Sequence, residues 1–215
     1  MTDQGERAIE ELTVGCMIQT LHNGLQPIRW IGKRRVSHGE LLCYPNLRPI
    51  RIRKGALAEN CIPRMDLVVS PQHRILVVSR IAERMFGRKE VLIAAKKLVS
   101  LPGVEVIEDQ TAVDYWHVLC GDHQIVSANG TPAETLYLGA QAHSALPLEA
   151  RAEILFLFPD FGPGRMPEAA ALIARGARGT KLILRQIRNK KPIISNAALF
   201  EGRDAKDHIA ASRFA

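Results

Sequence analysis

Residues 66–78 read Asp-Leu-Val-Val-Ser-Pro-Gln-His-Arg-Ile-Leu-Val-Val, and this stretch decides the fold. The apolar runs at 66–69 and 74–78 are rich in β-branched residues and predict two strands. The residues between them include a proline and a serine, which are typical of a tight turn. The pattern therefore predicts two neighbouring strands whose connecting turn carries the Ser70 hydroxyl and the His73 imidazole three residues apart.

A weaker copy of this pattern lies at residues 122–128, which read Asp-His-Gln-Ile-Val-Ser-Ala. It again sets a histidine, His123, at the start of an apolar strand, and Asn129-Gly130 follows as a hairpin signal. Two such strands from related halves of a chain would bring both imidazoles to one end of a sheet.

The first 130 residues or so are predicted to form short strands. Besides the two above, strands are predicted at 17–20, 25–36, 49–53, 104–107, 113–119 and 124–128. Asn23-Gly24 predicts a hairpin between the first two of these. Residues 90–99 fit either a helix or a strand. The sequence therefore predicts a mainly β body.

The sequence changes character after about residue 147. Residues 148–158 predict a helix that ends at Pro159, and residues 162–164 are the Gly-Pro-Gly of a turn. We therefore expect two domains. Residues 1–146 form the β domain, and residues 147–215 form a helical, basic C-terminal arm.

The net charge of +7 is concentrated in this arm. Between Arg165 and Lys191, eight basic residues stand against the single acid Glu168: Arg165, Arg175, Arg178, Lys181, Arg185, Arg188, Lys190 and Lys191. Apolar residues recur at helical spacing in the same segment, and Gly176 and Gly179 are predicted to divide it into two short helices. The favoured interpretation is a helix pair whose basic face is solvated. The alternative is a surface for an acidic protein, a nucleic acid or an anionic membrane.

Composition excludes several classes of protein. The chain has 215 residues, of which 47% are hydrophobic and 24% charged, so it is neither disordered nor fibrous. No apolar run approaches the roughly 20 residues of a membrane span, and the first residues do not resemble a secretory signal. The four cysteines form no C-x-x-C pair. A cytoplasmic location is the default expectation, although a longer host protein could still be secreted.

The turn at residues 70–73 can support acid–base chemistry on a peptide bond. The Ser70 hydroxyl and the turn N–H groups can bind a carbonyl oxygen, while His73 donates a proton to the leaving nitrogen. His123, with His117, is a second acid–base candidate, because histidine titrates near neutral pH. Asp66 could orient a histidine. The simpler alternative is that Ser70 caps the turn, His73 is structural and Asp66 only begins a strand.

Other kinds of site are not indicated. Seven histidines could supply metal ligands, but no H-x-H or H-E-x-x-H spacing is present, so we expect no metal. The nucleophile elbow G-x-S-x-G and the phosphate-binding loops are also missing, and we expect no cofactor.

Four blocks of the sequence follow one another in the order and spacing of a known family. They are Ala8-Ile9-Glu10-Glu11-Leu12-Thr13-Val14-Gly15, Gly24-Leu25-Gln26-Pro27-Ile28-Arg29-Trp30-Ile31-Gly32, residues 66–76, and His123 to Gly130. Together they resemble the bacterial Hint (hedgehog/intein) domain over roughly residues 2–160. The resemblance implies a horseshoe-shaped all-β fold with pseudo-two-fold symmetry, followed here by the helical arm.

The resemblance also implies self-processing. In Hint domains an N-terminal Cys or Ser attacks the carbonyl of the preceding residue, which gives a thioester or ester that is then cleaved, ligated or transferred. The substrate is the domain's own upstream polypeptide. The family's Thr/Ser-x-x-His motif, which polarises the scissile amide, matches Ser70 and His73, and the later assisting histidine matches His123.

The sequence departs from the family at the nucleophile. The family's nucleophile lies on a first strand ahead of the segment that matches residues 2–12, and no cysteine here precedes Cys16. Cys16 replaces an Asp that usually follows Gly15, so it is interpreted as a turn residue. Cys43, Cys61 and Cys120 are expected to be small buried hydrophobes. The terminal His-Asn of an intein is also missing.

Three functions remain open at this point. The first is an autoprocessing domain whose nucleophile strand is missing, so that the chain as given is inactive. The second is a degenerate Hint fold that binds an acidic partner through the basic arm. The third is an unrelated β-rich binding module. We expect no self-cleavage by the chain as given.

Overall fold

The computed structural model describes residues 1–58, 61–138 and 168–195. The prediction of a mainly β fold is confirmed. The strands are β1 (Met17–Gln19), β2 (Leu25–Pro27), β3 (Trp30–Val36), β4 (Ile50–Ile52), β5 (Leu67–Val69), β6 (Arg74–Val78), β7 (Glu90–Ala94), β8 (Val104–Val106), β9 (Val113–Leu119), β10 (Ile125–Ala128), β11 (Thr131–Glu134) and β12 (Leu172–Ile173). The α-helices are α1 (His38–Cys43), α2 (Arg80–Phe86) and α3 (Ala177–Arg188), and three single 3₁₀ turns cover Ile9–Glu11, Pro45–Leu47 and Ala95–Lys97.

The largest sheet has five strands in the order β10-β11-β6-β7-β12. Strands β6 and β10 both pair antiparallel with β11, so they run in the same direction. His73 and His123 precede these two strands and therefore lie at the same end of the sheet, as the repeated pattern predicts. Smaller sheets pair β1 with β2, β3 with β9, and β4 with both β5 and β8.

Strand β11 is one of the elements that the sequence analysis missed. Pro132 lies in its middle, and a proline argues against a central strand because it cannot donate to the ladder. The strand nevertheless forms, because Asn129 and Gly130 adopt the positive φ angles of 51° and 79° that a two-residue hairpin requires. This hairpin folds β11 back onto β10, with Ala128 opposite Thr131.

The C-terminal segment differs from the predicted pair of short helices. Leu172 and Ile173 form β12, which pairs parallel with β7. Gly179 lies inside the single helix α3, with the Lys97 side chain 3.0 Å from where its Cβ would be. This glycine therefore permits a close approach and does not end a helix. Only Gly176, with φ 57°, stands at the helix start.

Helix α3 packs into the main hydrophobic core. Leu182 and Ile183 are fully buried there, in a cluster that includes Ile75 of β6 and Ile93 of β7. The exposed side of the same helix carries Leu184, which is 51% exposed. The core therefore joins residues that are far apart in the chain.

Leu182→Ala is expected to lower the free energy of unfolding by about 3 kcal/mol, because it removes buried apolar surface and leaves a cavity. The matched control is Leu184→Ala, which is expected to change it by no more than about 0.5 kcal/mol since the side chain is exposed. Urea denaturation of both variants measures the difference. Equal effects would show that α3 does not belong to the core.

The remaining predictions concern residues 90–99, the segment after residue 138 and membrane spans. Residues 90–99, left ambiguous by the sequence, form β7 and the 3₁₀ turn Ala95–Lys97. The predicted helix at 148–158, the turn at 162–164 and the domain boundary at 146/147 lie outside the described residues. Where the chain is described, no helix combines the length and apolarity needed to cross a membrane.

Candidate functional site

The turn between β5 and β6 is firmly anchored. His73 N donates to the Ser70 carbonyl at 3.0 Å, which closes the turn. The carbonyls of Pro71 and His73 in turn accept from Lys96 N at 3.0 Å and Ala95 N at 2.8 Å. The Ser70 and His73 side chains are both partly exposed. The turn thus holds a hydroxyl and an imidazole on a fixed backbone at the sheet end.

Strand register places a buried carboxylate beside this turn. Because Ala133 pairs with Ile75, Glu134 on β11 lies opposite Arg74 on β6. Glu134 Oε1 accepts from Arg74 N at 2.9 Å and from Arg74 Nη1 at 3.1 Å, and Oε2 accepts from Nη1 at 2.9 Å. The Glu134 side chain is 7% exposed. Burial raises the pKa of Glu134, but contact with His123 and the charges of His73 and Arg74 outweigh burial and hold it below its usual value.

His123 lies on the other side of the same carboxylate. Its Nε2 is 3.3 Å from Glu134 Oε2, and its side chain is 1% exposed. Its Nδ1 accepts a hydrogen bond from Ala170 N at 3.1 Å. The Tyr137 ring packs against the imidazole with centroids 4.8 Å apart, and the Arg74 guanidinium lies 5.9 Å from the same ring. A buried histidine, a carboxylate and an arginine therefore form one cluster.

His117 reaches the site from a different sheet. It lies on β9 directly opposite Gly32 of β3, on the same face as Trp30 two residues away. A Cβ on Gly32 would lie 2.4 Å from the Trp30 ring, so this glycine leaves the room that the indole occupies. Burial, with added repulsion from His73 and Arg34, lowers the pKa of His117 to about 4. His117 is therefore neutral near pH 7.

His73 also has a lowered pKa. Burial is the main cause, with the charges of Arg74 and His123 acting in the same direction, while the Glu134 carboxylate opposes them. A neutral imidazole keeps one N–H donor and one acceptor nitrogen. The neutral His73 ring can therefore donate a hydrogen bond to a bound amide or accept a proton from it, and no charged imidazolium has to be buried beforehand.

The lowered pKa of His117 predicts a fold that is sensitive to acid. The folded pKa of His117, about 4, lies below its ordinary value of 6.5, so the unfolded chain takes up the proton first as the pH falls. Stability is therefore fully present above pH 6.5 and is lost between pH 6.5 and 4, by at most about 3 kcal/mol for this group. Urea denaturation at pH 7.5, 5.5 and 4.5 measures the loss, and His117→Gln is expected to reduce it.

The matched control for this titration is His38→Gln, since His38 is exposed at the start of α1. This variant is expected to follow the wild-type pH profile. A wild-type free energy of unfolding that stays level between pH 7.5 and 4.5 would contradict the burial of His117 in its neutral form.

The structure brings together four of the five residues that the sequence singled out. His73, His123 and His117 interact electrostatically with one another or with Glu134, and Ser70 lies on the turn that carries His73. Asp66 does not fit the suggestion that it orients a histidine. It is exposed, its Oδ1 accepts from Lys54 N at 2.9 Å, and its carbonyl accepts from Asn129 Nδ2 at 3.2 Å. Asp66 therefore links the chain at Lys54 to the hairpin at Asn129, through its side chain on one side and its carbonyl on the other.

The cysteines differ in part from expectation. Cys120 is buried, which raises the pKa of its thiol to about 11. Cys43 and Cys61 are exposed, so the prediction that they are buried hydrophobes is wrong. Cys16 lies in the turn before β1, with its Sγ 3.4 Å from the Thr13 hydroxyl, which lowers the pKa of its thiol.

Sequence analysis did not identify Arg74, Glu134 or Tyr137 as members of the site. A charged residue within a strand that follows a hairpin signal was the one available clue, because a buried charge needs a partner. The partner itself follows only from the β6–β11 register. Within the described ranges, no three His, Cys, Asp or Glu side chains are grouped as they would be around a metal ion.

One protein family matches most of this chain in sequence. The family model described as the Hint domain matches residues 1–140. Among solved structures, the crystal structure of the gp41-1 intein is similar over 62% of this chain and 89% of that chain, with 12% sequence identity and a TM-score of 0.34. No curated protein matches the chain in sequence. The assignment of a family therefore rests on the sequence match over residues 1–140.

Proposed function

This chain belongs to the Hint domain family, and on that premise we propose that it supplies the amide-polarising part of a self-processing site that acts on its own polypeptide. The observation that carries the proposal is the convergence of His73, His117 and His123 with the buried Glu134 at one end of the five-stranded sheet. Such a cluster of neutral and charged groups suits proton transfer at a peptide bond.

In the proposed reaction, a cysteine thiolate attacks the carbonyl carbon of the residue before it. The C–S bond forms as the C–N bond breaks, and the leaving nitrogen becomes a free amine after it gains a proton. His73 donates that proton, and the Ser70 hydroxyl with the turn N–H groups binds the carbonyl oxygen. His123 and His117 assist, and a second thiol then displaces the thioester.

The nucleophile is not among the residues of the cluster, which contains no cysteine in the part of the chain that the structure describes. We propose that the nucleophile is a cysteine on a segment joined ahead of Met1. The Met1 amino group lies 3.2 Å from the Ser127 carbonyl, in the strand that follows His123. A segment joined to Met1 would therefore enter the molecule beside that strand.

A reporter fusion tests the proposal. The reporter is joined to Met1 through a strand-length segment that opens with cysteine, and the products are measured by intact mass after addition of a thiol. We expect thiol-dependent release of the reporter, and no release when that cysteine is alanine or when the reporter is joined directly to Met1. Release from the fusion without the added cysteine, or none from the fusion that has it, would contradict the proposal.

A second candidate function is the binding of an acidic partner, and one observation favours it. Helix α2 packs on α3, where Arg178 donates to the Met85 carbonyl and its guanidinium lies 4.5 Å from the Phe86 ring. Helix α2 itself carries the exposed Arg80 and Arg84. We propose that basic residues of both helices contribute to the surface that binds the partner.

Binding to poly-glutamate tests this second function. Lys181→Gln with Arg185→Gln is expected to weaken binding by about tenfold at low salt, with the difference shrinking as ionic strength rises. The control carries Arg29→Gln and Lys54→Gln, which remove the same charge at exposed positions elsewhere. Equal weakening in both variants would show attraction by net charge without a defined surface.

A further inference from the structure

Glu134 lies between Arg74 and His123 and contacts both. Its two oxygens accept three hydrogen bonds from Arg74, and Oε2 also lies 3.3 Å from His123 Nε2. We propose that Glu134, held by Arg74, is a positioning residue that keeps His123 in the tautomer with its proton on Nε2, and so leaves His73 as the imidazole that meets the scissile amide. The second half of this inference rests on the proposed function, whereas the tautomer does not.

The tautomer follows from what each ring nitrogen of His123 faces. Nδ1 accepts a hydrogen bond from the Ala170 N–H at 3.1 Å, so it must present a lone pair there. A neutral imidazole has one protonated nitrogen, and here it is Nε2. The group facing Nε2 is the Glu134 carboxylate, which is an acceptor. Both neighbours of the ring therefore select the same tautomer.

The Nε2 contact is an electrostatic one. It lies at 3.3 Å but lacks the alignment of a full hydrogen bond, and Nε2 has no other partner in the described part of the chain. Both side chains are more than nine-tenths buried, so solvent cannot replace the carboxylate. Loss of the negative charge would remove the electrostatic attraction that favours a proton on Nε2.

Arg74 fixes the carboxylate in this position. Its backbone N–H and its guanidinium bind Glu134 together, which leaves one outer lone-pair direction of Oε2 for His123. The charged and titratable groups around the carboxylate are Arg74, His73 and His123, with the Tyr137 ring against the imidazole. The arginine balances the carboxylate charge, so the pair orients His123 without adding net charge to the site.

The arrangement divides the roles of the histidines. The His123 ring is held on one nitrogen by Ala170 and faces Glu134 with the other, so it is not free to turn toward a substrate. His73 is partly exposed on the anchored turn. Burial lowers the pKa of His73, and the Glu134 carboxylate partly offsets this, so it increases the share of the protonated form that donates to a leaving nitrogen. His123 is then a positioning residue, and His73 is the proton donor.

Long-range ¹H–¹⁵N spectra of the chain labelled with ¹⁵N-histidine test the inference between pH 4 and 9. In the wild-type chain we expect a protonated Nε2 and an unprotonated Nδ1 for neutral His123. In Glu134→Gln we expect this tautomer preference to weaken and the midpoint of the His73 titration to fall. The matched control is Glu105→Gln, because Glu105 pairs with Arg51 and Arg53 on an exposed sheet face. It is expected to change neither signal.

A wild-type His123 with its proton on Nδ1 would overturn the inference, and this measurement needs no variant. An unchanged tautomer and His73 titration in Glu134→Gln would overturn it as well. If Glu134→Gln does not fold, Glu134→Asp retains the charge at a greater distance and is expected to weaken the preference in the same direction. An unaltered preference there would count against the role of the carboxylate.

Cleavage of the reporter fusion separates this inference from the proposed function. Glu134→Gln is expected to slow thiol-dependent release by about tenfold or more, with a shifted pH profile, while Glu105→Gln leaves the rate unchanged. A fusion that never cleaves would contradict the proposed function and leave the tautomer result standing. A fusion that cleaves at the wild-type rate with Glu134→Gln would contradict the positioning role alone.

Discussion

Arg74→Met is expected to lower the free energy of unfolding at pH 7 by about 3–5 kcal/mol, because it leaves the Glu134 carboxylate buried without its cation. The Glu134 side chain is only 7% exposed. Among the described residues, the Arg74 guanidinium gives it two hydrogen bonds, which the variant loses, and the Arg74 backbone N–H gives a third, which the variant keeps. Methionine keeps much of the side-chain volume, so the loss reports charge more than packing. Urea denaturation at pH 7 measures it.

The control for this prediction is the double variant Arg74→Met with Glu134→Gln. It removes both charges, so we expect it to be more stable than Arg74→Met alone. The pH dependence gives a second check. The pKa of Glu134 is lowered in the folded wild-type chain, so its contribution to stability is present above about pH 4.5 and is lost as the pH falls through the folded pKa. In Arg74→Met this contribution should be smaller, because only His123 and His73 then remain to lower the pKa of Glu134.

A loss of less than about 1 kcal/mol in Arg74→Met would mean that the pair behaves as a surface ion pair. That result would also weaken the argument that Glu134 holds His123, since a solvated carboxylate can be replaced by water. The free energy of unfolding therefore tests the contact of Glu134 with Arg74, and the histidine spectra test the contact of the same carboxylate with His123.

His73→Ala is expected to slow thiol-dependent cleavage of the reporter fusion by about 100-fold or more, because it removes the proton donor for the leaving nitrogen. The turn that carries His73 is fixed by backbone hydrogen bonds of Ser70, Lys96 and Ala95, which do not involve the imidazole. The substitution should therefore leave the turn folded. Intact mass over time gives the rate.

The matched control is His38→Ala in the same fusion, since His38 is exposed on α1. Its rate is expected to equal that of the wild type. An unchanged rate in His73→Ala would exclude this imidazole as the proton donor. Loss of cleavage in His73→Ala together with unfolding in urea at lower concentration would instead point to a structural role.

The sequence located many of the strands because local chemistry decides them. The runs at 74–78 and 113–119 form β6 and β9 with the predicted bounds, since β-branched and aromatic residues fit a pleated sheet in most contexts. Helices α1 and α2 were missed because they are short. Their signals were the capping residues Ser37, with Glu40 completing a capping box, and Ser79.

The C-terminal segment shows where local chemistry is not enough. Leu172 and Ile173 are too short a run to predict a strand, and they form one because they pair with the edge of β7. Gly179 stays within α3 because the helix needs a close approach to Lys97. Contacts of this kind join residues about 80 positions apart, which periodicity along the chain cannot report.

The sequence by itself determined the mainly β class, the turn that carries Ser70 and His73, and the family to which the chain belongs. These three features depend on residues that are close together in the chain, so local conformational preferences and the order of the motifs are enough to predict them. The contacts of Glu134 with Arg74 and His123, and the hydrogen bond of Asp66 to the Lys54 backbone, are evident only in the folded chain. Strand register decides such contacts, because a shift of one residue would turn Glu134 to the opposite face of the sheet.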